Sequence, residues 1–368
     1  MSANVKEPLF HVVKRDTGSL SRSILVRLAA IVLALIVCAV VIVLLTGMNP
    51  LSVYAALWNG AVGTSRRMWI TLRDAAILLC IGFAVMPAFR MRFWNTGAEG
   101  QVLVGSMATA AVMIYGRGLP SWLLYTLCPL AGMAAGMVWG VIPAFFKAHW
   151  NTNETLFTLM LNYIATQLVA FAIIFWENPK GSNSVGLINA KGKIGWLPSI
   201  AKNGYILPVI IVAVLAVVLF VYMRYTKQGY EISVVGESEN TAYYAAINVK
   251  RVIIRTMAIC GALAGVAGYL LTAGVGHTIS VGLAGGRGFT AIIVAWLGKL
   301  NPFTMMLVSF FLVFMEKGAL EIASQFNLNE NASEILTGII LFFILGCEFF
   351  INYRLEFRKP AAKEEVKA

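Results

Sequence analysis

Ten apolar stretches divide this chain, most of them long enough to cross a bilayer, and they confine the fold to a helical bundle embedded in a membrane. They fall near residues 24–45, 69–89, 98–115, 122–146, 156–176, 206–223, 253–273, 289–297, 303–322 and 334–351. A hydrocarbon layer of about 30 Å takes roughly twenty helical residues. Within it each backbone amide must be satisfied inside the protein, which leaves helices as the spanning form for segments of this kind. Composition agrees, since 59% of the 368 residues are hydrophobic and 12% are charged, with a mean hydropathy of +0.78, well outside the range of soluble globular domains. The expectation is an all-α polytopic membrane protein with about ten transmembrane helices.

The basic residues assign sides. Lys6, Lys14, Arg15, Arg22 and Arg27 precede or open the first span, which no small-residue cleavage pattern follows, so it reads as a retained anchor. If that arm is cytoplasmic, the connections on its side carry Arg90 and Arg92, Lys147, Arg224 and Lys227, Lys250 to Arg255, Lys299, and the tail with Arg354, Arg358, Lys359, Lys363 and Lys367. The opposite connections are poorer in basic residues, although Lys180, Lys191, Lys193 and Lys202 lie on the longest. The expected organisation is a cytoplasmic arm over 1–23, a transmembrane domain over 24–352 with a cytoplasmic loop at 225–252, and a cytoplasmic tail over 353–368, disordered from Arg358 on. Topology then accounts for most of the +12 net charge, and no basic folded face argues for nucleic acid.

Catalytic chemistry finds no footing. Cys38, Cys80, Cys128, Cys260 and Cys347 are scattered singly through apolar spans and read as small buried hydrophobes. His11, His149 and His277 are isolated, without metal-ligand spacing. No P-loop and no nucleophile elbow occurs, and the glycines at 282–288 lack the strand and helix that a phosphate cradle requires. No cofactor is called for, and any energy source must come from a partner or from an ion gradient.

The polar groups worth explaining are few. Asn95, Gly97, Glu99, Gly100 and Gln101 stand between two apolar spans, which puts a carboxylate at or near membrane depth. A charge there costs at least about 2.5–3.5 kcal/mol at the bilayer centre and ordinarily marks a solute or ion path. Two readings are open: a half-helix lining such a path, or an anion capping a helix N-terminus at the membrane interface, where the helix dipole favours it and the cost is small. In the fifth span Asn151, Thr155, Thr158, Asn162 and Thr166 are spaced by four, three, four and four and share one helical face. That stripe either lines a pathway or hydrogen-bonds a neighbouring helix. Asn153 and Glu154 open the same helix as N-cap and dipole partner. Glycines at 132, 136 and 140 and at 261, 265 and 268 form stripes for close helix packing.

The largest polar interruption, 225–251, is too ordered in composition for a linker. Ser238 can cap, Glu239 complements a helix dipole, and Thr241 to Ile247 form a turn or two of alanine-rich helix. A helix so short is marginal alone in water and needs the bundle or a partner to rest on.

Taken in order, these motifs resemble those of bacterial ABC importer permeases of the branched-chain amino acid, simple sugar and nucleoside group. Asn95-x-Gly97-x-Glu99-Gly-Gln101 is similar to that family's third-span motif, and Asn153-Glu154-Thr155-Leu-Phe-Thr158-Leu-Met-Leu-Asn162-Tyr163 to a segment of its nucleoside and simple-sugar branch. The 236–247 stretch looks like its coupling loop, and Gly286-x-Gly288-Phe289 through Asn301-Pro302 completes the order. The likeness covers 51–351. Arg287, Thr290 and Ala246 depart from it, standing where small, acidic and glycine residues are common.

The resemblance implies a permease that pairs in the membrane with a second permease, here an unlike paralogue or a second copy of itself. It further implies an ABC ATPase that binds the nucleotide, and an extracytoplasmic solute-binding protein or lipoprotein, all at a bacterial cytoplasmic membrane. The longer subunit of the nucleoside branch carries an arm like residues 1–23. The implied path residues are Asn95, Glu99, Gln101, Asn153, Glu154, Thr155, Thr158, Asn162, Arg287 and Phe289. Those implied for ATPase coupling are Gly236, Glu237, Glu239, Asn240, Ala242, Tyr243, Ala245, Ala246 and Ile247. The solute implied is a nucleoside, with a pentose or hexose as the alternative and ion-coupled transport as a remoter one. The connection at 178–203 either meets the binding protein or is a solvated loop.

Overall fold

The computed structural model describes residues 10–14, 20–47, 49–200, 203–326 and 330–357; the tail expected to be disordered from Arg358, and most of the arm, lie outside them. In chain order the elements are β1 (Phe10–Lys14), α1 (Leu20–Thr46), α2 (Pro50–Val62), α3 (Ser65–Arg90), α4 (Ala98–Tyr115), α5 (Ser121–Trp150), α6 (Glu154–Trp176), α7 (Ile206–Tyr225), α8 (Lys227–Glu237), α9 (Glu239–Tyr244), α10 (Val249–Tyr269, continued as a π-helix over Leu270–Gly276), α11 (Arg287–Leu297), α12 (Pro302–Gln325), α13 (Glu330–Asn352) and β2 (Tyr353–Phe357). Every stretch expected to span is helical. Among the described residues, six helices are long and apolar enough to cross on their own: α3, α5, α6, α7, α10 with its π-helical extension, and α12. At 11 residues, α11 is only about 16 Å long, half a crossing.

The chain divides into two compact units, Val62–Phe314 and a second made of Met1–Ala61 with Met315–Ala368. The first is organised around a three-helix crossing of α4, α5 and α10 that glycine makes possible. A Cβ on Gly261 would collide with the carbonyl of Gly136, one on Gly265 with that of Gly132, and one on Gly268 would lie 2.5 Å from the carbonyl of Val102. Backbones this close gain dispersion contacts where lipid supplies no hydrophobic drive. The glycine stripes are packing stripes, as expected. α3 lies against this block almost wholly buried, with Ile77, Cys80, Ile81, Phe83, Ala84 and Val85 inaccessible to solvent.

In the second unit α1 and α13 pack along one another, the Cys38 thiol facing the Leu336 carbonyl at 3.8 Å, and the Tyr54 hydroxyl of α2 donates to the Leu35 carbonyl. Here the all-α expectation needs amending. β1 pairs antiparallel with β2, Phe10 opposite Phe357 and Lys14 opposite Tyr353, so the arm and the start of the tail form a two-stranded ribbon. Both pentapeptides, FHVVK and YRLEF, are rich in the β-branched and aromatic residues that favour strands, a signal masked by the charges around them. The helices α2 and α8 were also unforeseen. α2 is too short to cross and carries Asn59 and Gly60, and α8 mixes Gly229 and Gly236 with polar residues, so neither presents a helical apolar period.

Enlarging Gly265 to valine will drive a side chain into the Gly132 carbonyl and cost 1–3 kcal/mol or more, about that of overpacking a dense core. Gly338, where an added Cβ would have nothing within 4 Å, will accept alanine. Thermal stability of the detergent-solubilised protein, followed by size-exclusion chromatography, distinguishes the two.

Candidate functional site

The helix broken before α4 defines the site. Its depth follows from its neighbours: a Cβ on Gly100 would meet Asn162 of α6, and one on Gly140 of α5 would lie 3.4 Å from the Gln101 carboxamide. Asn162 is eight residues into α6, and Gly140 ten residues before the end of α5, so the break sits about 12–15 Å in from those helix ends. Irregular backbone at that depth must be saturated by protein or face a watery cavity.

Saturation comes mostly from two asparagines and two threonines. Asn95, fully buried, accepts at Oδ1 from the Gly97 amide (3.1 Å) and from Gln101 Nε2 (3.3 Å), and its own Nδ2 faces Gln101 Oε1 at 3.5 Å. Asn162 spans the break: its Nδ2 donates to the Thr96 carbonyl (2.9 Å) and its Oδ1 accepts from the Gly100 amide (2.9 Å). The Thr158 hydroxyl lies 2.9 Å from that of Thr96, which also donates to the Thr155 carbonyl (3.1 Å). The face of α6 bearing Thr155, Thr158 and Asn162 therefore grips the broken helix, with Thr158 and Asn162 buried. Of the two readings the stripe left open, the interhelical one describes these contacts.

Glu99, in the first turn of α4, reaches across to α11. Its Oε1 accepts from the Gly286 amide at 2.8 Å and its Oε2 from the Gly288 amide at 2.7 Å. The amides at a helix head have no partner within the helix, and the dipole there attracts an anion. A carboxylate accepting two such bonds gains roughly 1.5–3 kcal/mol from each, which offsets the cost of holding the charge at depth. Gly288 is a steric requirement, because a Cβ there would lie 2.5 Å from the Glu99 amide nitrogen. Arg287 opens α11 half-buried, and Phe289 is 45% exposed. Asn153 caps α6 by accepting from the Leu156 amide (3.1 Å) and Glu154 pairs with Lys147 at 3.0 Å; they join α5 to α6 and stand apart from the break.

The second constellation is the elbow of α8 and α9. Ser238 caps α9 by accepting from the Thr241 amide (3.3 Å), as its sequence indicates, but the helix begins at Glu239. α9 rests on the bundle through fully buried Ala242, which joins Ile232, Val235, Met91, Phe93, Val252 and Met257 in one core. Gly236 touches the end of α3 so closely that a Cβ would collide with the Arg90 carbonyl. Arg255 pairs with Glu231 at 2.9 Å and fastens α8 to α10. Outward, Tyr243 is 60% and Tyr244 94% exposed, beside exposed Glu237, Glu239, Asn240, Ala245 and Ala246 and half-buried Ile247. Ala246 has φ 55, a left-handed conformation that costs a non-glycine residue about 1–2 kcal/mol and explains why glycine suits this position.

Sequence reasoning missed a third feature. Arg73 and Asp74, adjacent in α3, form an ion pair at 2.8 Å with side chains 12% and 5% exposed, and the guanidinium lies 5.2 Å from the centre of the Tyr205 ring. Two opposite charges side by side in an apolar span were the available signal. Nearby, the long connection after α6 is folded onto the bundle over 188–197: Ile188 and Leu197 donate to the carbonyls of His277 and Ala273 (2.8 and 2.9 Å), and Asn189 donates to that of Met113 (2.7 Å). The His277 ring stacks on Trp196 at 3.6 Å. Burial holds its pKa below the ordinary 6.5, the Ala273 carbonyl opposes that in part, and Arg73 and Lys193 add smaller downward pushes.

A bundle whose half-helix ends on an intramembrane carboxylate, saturated by backbone amides, has the construction of a membrane transport protein. The family model described as branched-chain amino acid transport system / permease component matches residues 67–345, and the chain belongs to that family. It is a transport subunit, not an enzyme. Similar proteins include the guanosine ABC transporter permease protein NupP of Bacillus subtilis, 33% identical over 87% of this chain and 92% of its own length. The nucleoside ABC transporter permease protein NupB of Lactococcus lactis is 28% identical over 93% and 95%. The glucose ABC transporter permease protein TsgB13 of Haloferax volcanii is 28% identical over 88% of each chain.

Two outcomes are expected. Glu99→Gln will leave one amide of α11 facing an NH₂ group and will lower thermal stability by about 1.5–3 kcal/mol, the worth of one charge-assisted bond, with transport reduced; wild-type stability would remove the clamp. For His277 the depressed folded pKa means that the unfolded connection binds more protons below pH 6.5, so docking weakens as pH falls through that value and the lowered one. The protection of the amides across 185–197, taken relative to the intrinsic exchange rate at each pH, should fall at pH 5 compared with pH 7.5, and His277→Asn should remove that difference.

Proposed function

We propose that this chain is a membrane-spanning subunit of an ATP-driven ABC importer, translocating nucleosides across a bacterial cytoplasmic membrane. The observation that carries the solute class is the nearly full-length likeness to the guanosine and nucleoside permeases of two bacteria. A monosaccharide is the second reading, favoured by the glucose permease at comparable coverage. The partners are an ABC ATPase, a second permease subunit of unlike sequence, and an extracytoplasmic solute-binding lipoprotein. Both termini and the elbow of α8 and α9 face the cytoplasm, in keeping with the lysines and arginines at 224–255.

In this mechanism ATP-driven closure of the ATPases displaces α9. The exposed rings of Tyr243 and Tyr244, with Glu239, Asn240, Ala245 and Ala246, form the docking face, while Ala242 and Ile247 hold α9 to the bundle. Gly236 bears on Arg90, and Arg90 leads directly into the broken helix with Asn95, Gln101 and Glu99. Because Glu99 holds the head of α11, a push on the elbow moves Arg287 and Phe289 at the edge of the path. Thr155, Thr158 and Asn162 keep the break together through the stroke, and Asn153 and Glu154 anchor the foot of α6.

Affinity purification of the tagged chain in mild detergent should recover an ATPase and a second permease, and uptake of labelled guanosine and uridine should depend on all of them; uptake of glucose or ribose alone would favour the second reading. Tyr243→Ala combined with Ala245→Glu should lower uptake by roughly tenfold, the effect of losing a central interface residue, while ATP hydrolysis continues. Hydrolysis that stays in step with transport in this variant would remove the docking role.

A further inference from the structure

α11 presents two unlike faces. Gly288, Ala291, Val294 and Ala295 are buried against the bundle, whereas Phe289 and Trp296, seven residues apart and hence on one side of the helix, are 45% and 53% exposed. At the lower end of that exposed side Trp296 stacks on Trp94, with ring centres 5.7 Å apart and planes 25° from parallel. Trp94 is itself 47% exposed although both its neighbours, Phe93 and Asn95, are buried. Phe89, 7% exposed, backs both indoles at 5.4 and 6.0 Å, so the pair is held by a ring from behind and open in front.

What this face meets follows from the backbone at its upper end. Gly282, Gly285 and Gly286 are exposed and non-helical, and the Gly286 amide is bonded to Glu99, which fixes the end of this stretch at the depth of the break. Irregular backbone at that depth is incompatible with lipid and is tolerated where protein buries it or where it lines water; on this chain it is open. The face of α11 that continues from it is open as well, and the indoles of Trp94 and Trp296 stand at its far end. Flat aromatic surface beside water suits a flat, uncharged, π-bearing solute, because stacking is gained without a charge to desolvate.

We propose that Trp94 and Trp296 form a stacking platform for the nucleobase of the translocated solute, placed between the broken helix and the mouth of the path. This rests on the nucleoside reading above and adds a residue-level account of base preference. Stacking scales with ring area, so the platform favours purines over pyrimidines, and it is indifferent to the base-edge groups that hydrogen bonds would read.

The test uses the complete transporter, with ATPase, second permease and binding protein, reconstituted in vesicles at saturating binding protein, comparing maximal uptake of guanosine and uridine. Loss of a stacked base weakens an interaction by roughly 5- to 150-fold. Trp296→Leu and Trp94→Leu should therefore lower guanosine uptake by about fivefold or more and uridine uptake less, so that the purine-to-pyrimidine ratio falls, while subunit co-purification is retained and ATP hydrolysis stays in step with uptake. Trp296→Phe and Trp94→Phe should give intermediate ratios. An unchanged ratio in the leucine variants, or in the phenylalanine variants if the leucine variants do not assemble, overturns the proposal. Failure of the nucleoside reading would be seen separately, as a wild-type transporter that moves glucose or ribose and neither nucleoside.

Discussion

One carboxylate and two backbone amides hold the rest of the site in register. The head of a half-helix leaves donors without acceptors, and a glutamate in a membrane leaves a charge without solvent; each is expensive alone at that depth. Brought together at 2.7 and 2.8 Å, Glu99 and the amides of Gly286 and Gly288 satisfy one another. The pairing also welds two elements 187 residues apart in sequence, so the start of α4 and the start of α11 move as one piece. The residue accepts from the head of α11, whereas its sequence suggested either a path-lining half-helix or a cap at the membrane interface.

Around that weld the bundle divides into what can move and what cannot. The crossing of α4, α5 and α10 has glycine facing carbonyl at several levels, and packing so close resists small displacement because no side chain can yield. The elbow of α8 and α9 is attached to this block through Ala242, Ile232 and Val235, and to the end of α3 through the contact of Gly236 with Arg90. Residues 91–97 start from that contact and end at the weld. A displacement of the elbow thus has a short material route to Glu99 and α11 that bypasses the glycine crossing, which is what a lever needs: a fixed fulcrum and a free arm.

Much of this was legible in the residues. Hydropathy marked the helices because lipid leaves the chain few alternatives; the glycine stripes repeat at helical spacing and the Ser238 cap acts on an amide three residues on, so a linear pattern carries the information. The pairing of Glu99 with Gly286 and Gly288, the grip of Asn162 on the break and the stacking of Trp94 on Trp296 join segments far apart in sequence, and no local pattern encodes such partners. α2 and α8 were hidden because polar residues and glycines interrupt their apolar period. The β1 and β2 ribbon was hidden because each strand, five residues long, pairs with a segment far away in sequence. The left-handed Ala246 could be seen only as a departure from a glycine, whose meaning is a backbone angle.

The saturation of the broken helix also bears on where selectivity resides. Asn95, Gln101, Thr96, Thr158 and Asn162 spend their hydrogen-bonding groups on one another and on backbone within the break, and Glu99 spends both oxygens on α11. A solute could recruit them only by displacing bonds that hold irregular backbone at depth, at a cost of roughly 1–3 kcal/mol for each buried group left unpaired. Groups so committed set the geometry of the path and are poor readers of what passes through it. Discrimination must then come from surfaces that the fold leaves open, and the exposed aromatic side of α11 is such a surface, adjoining the break without being consumed by it.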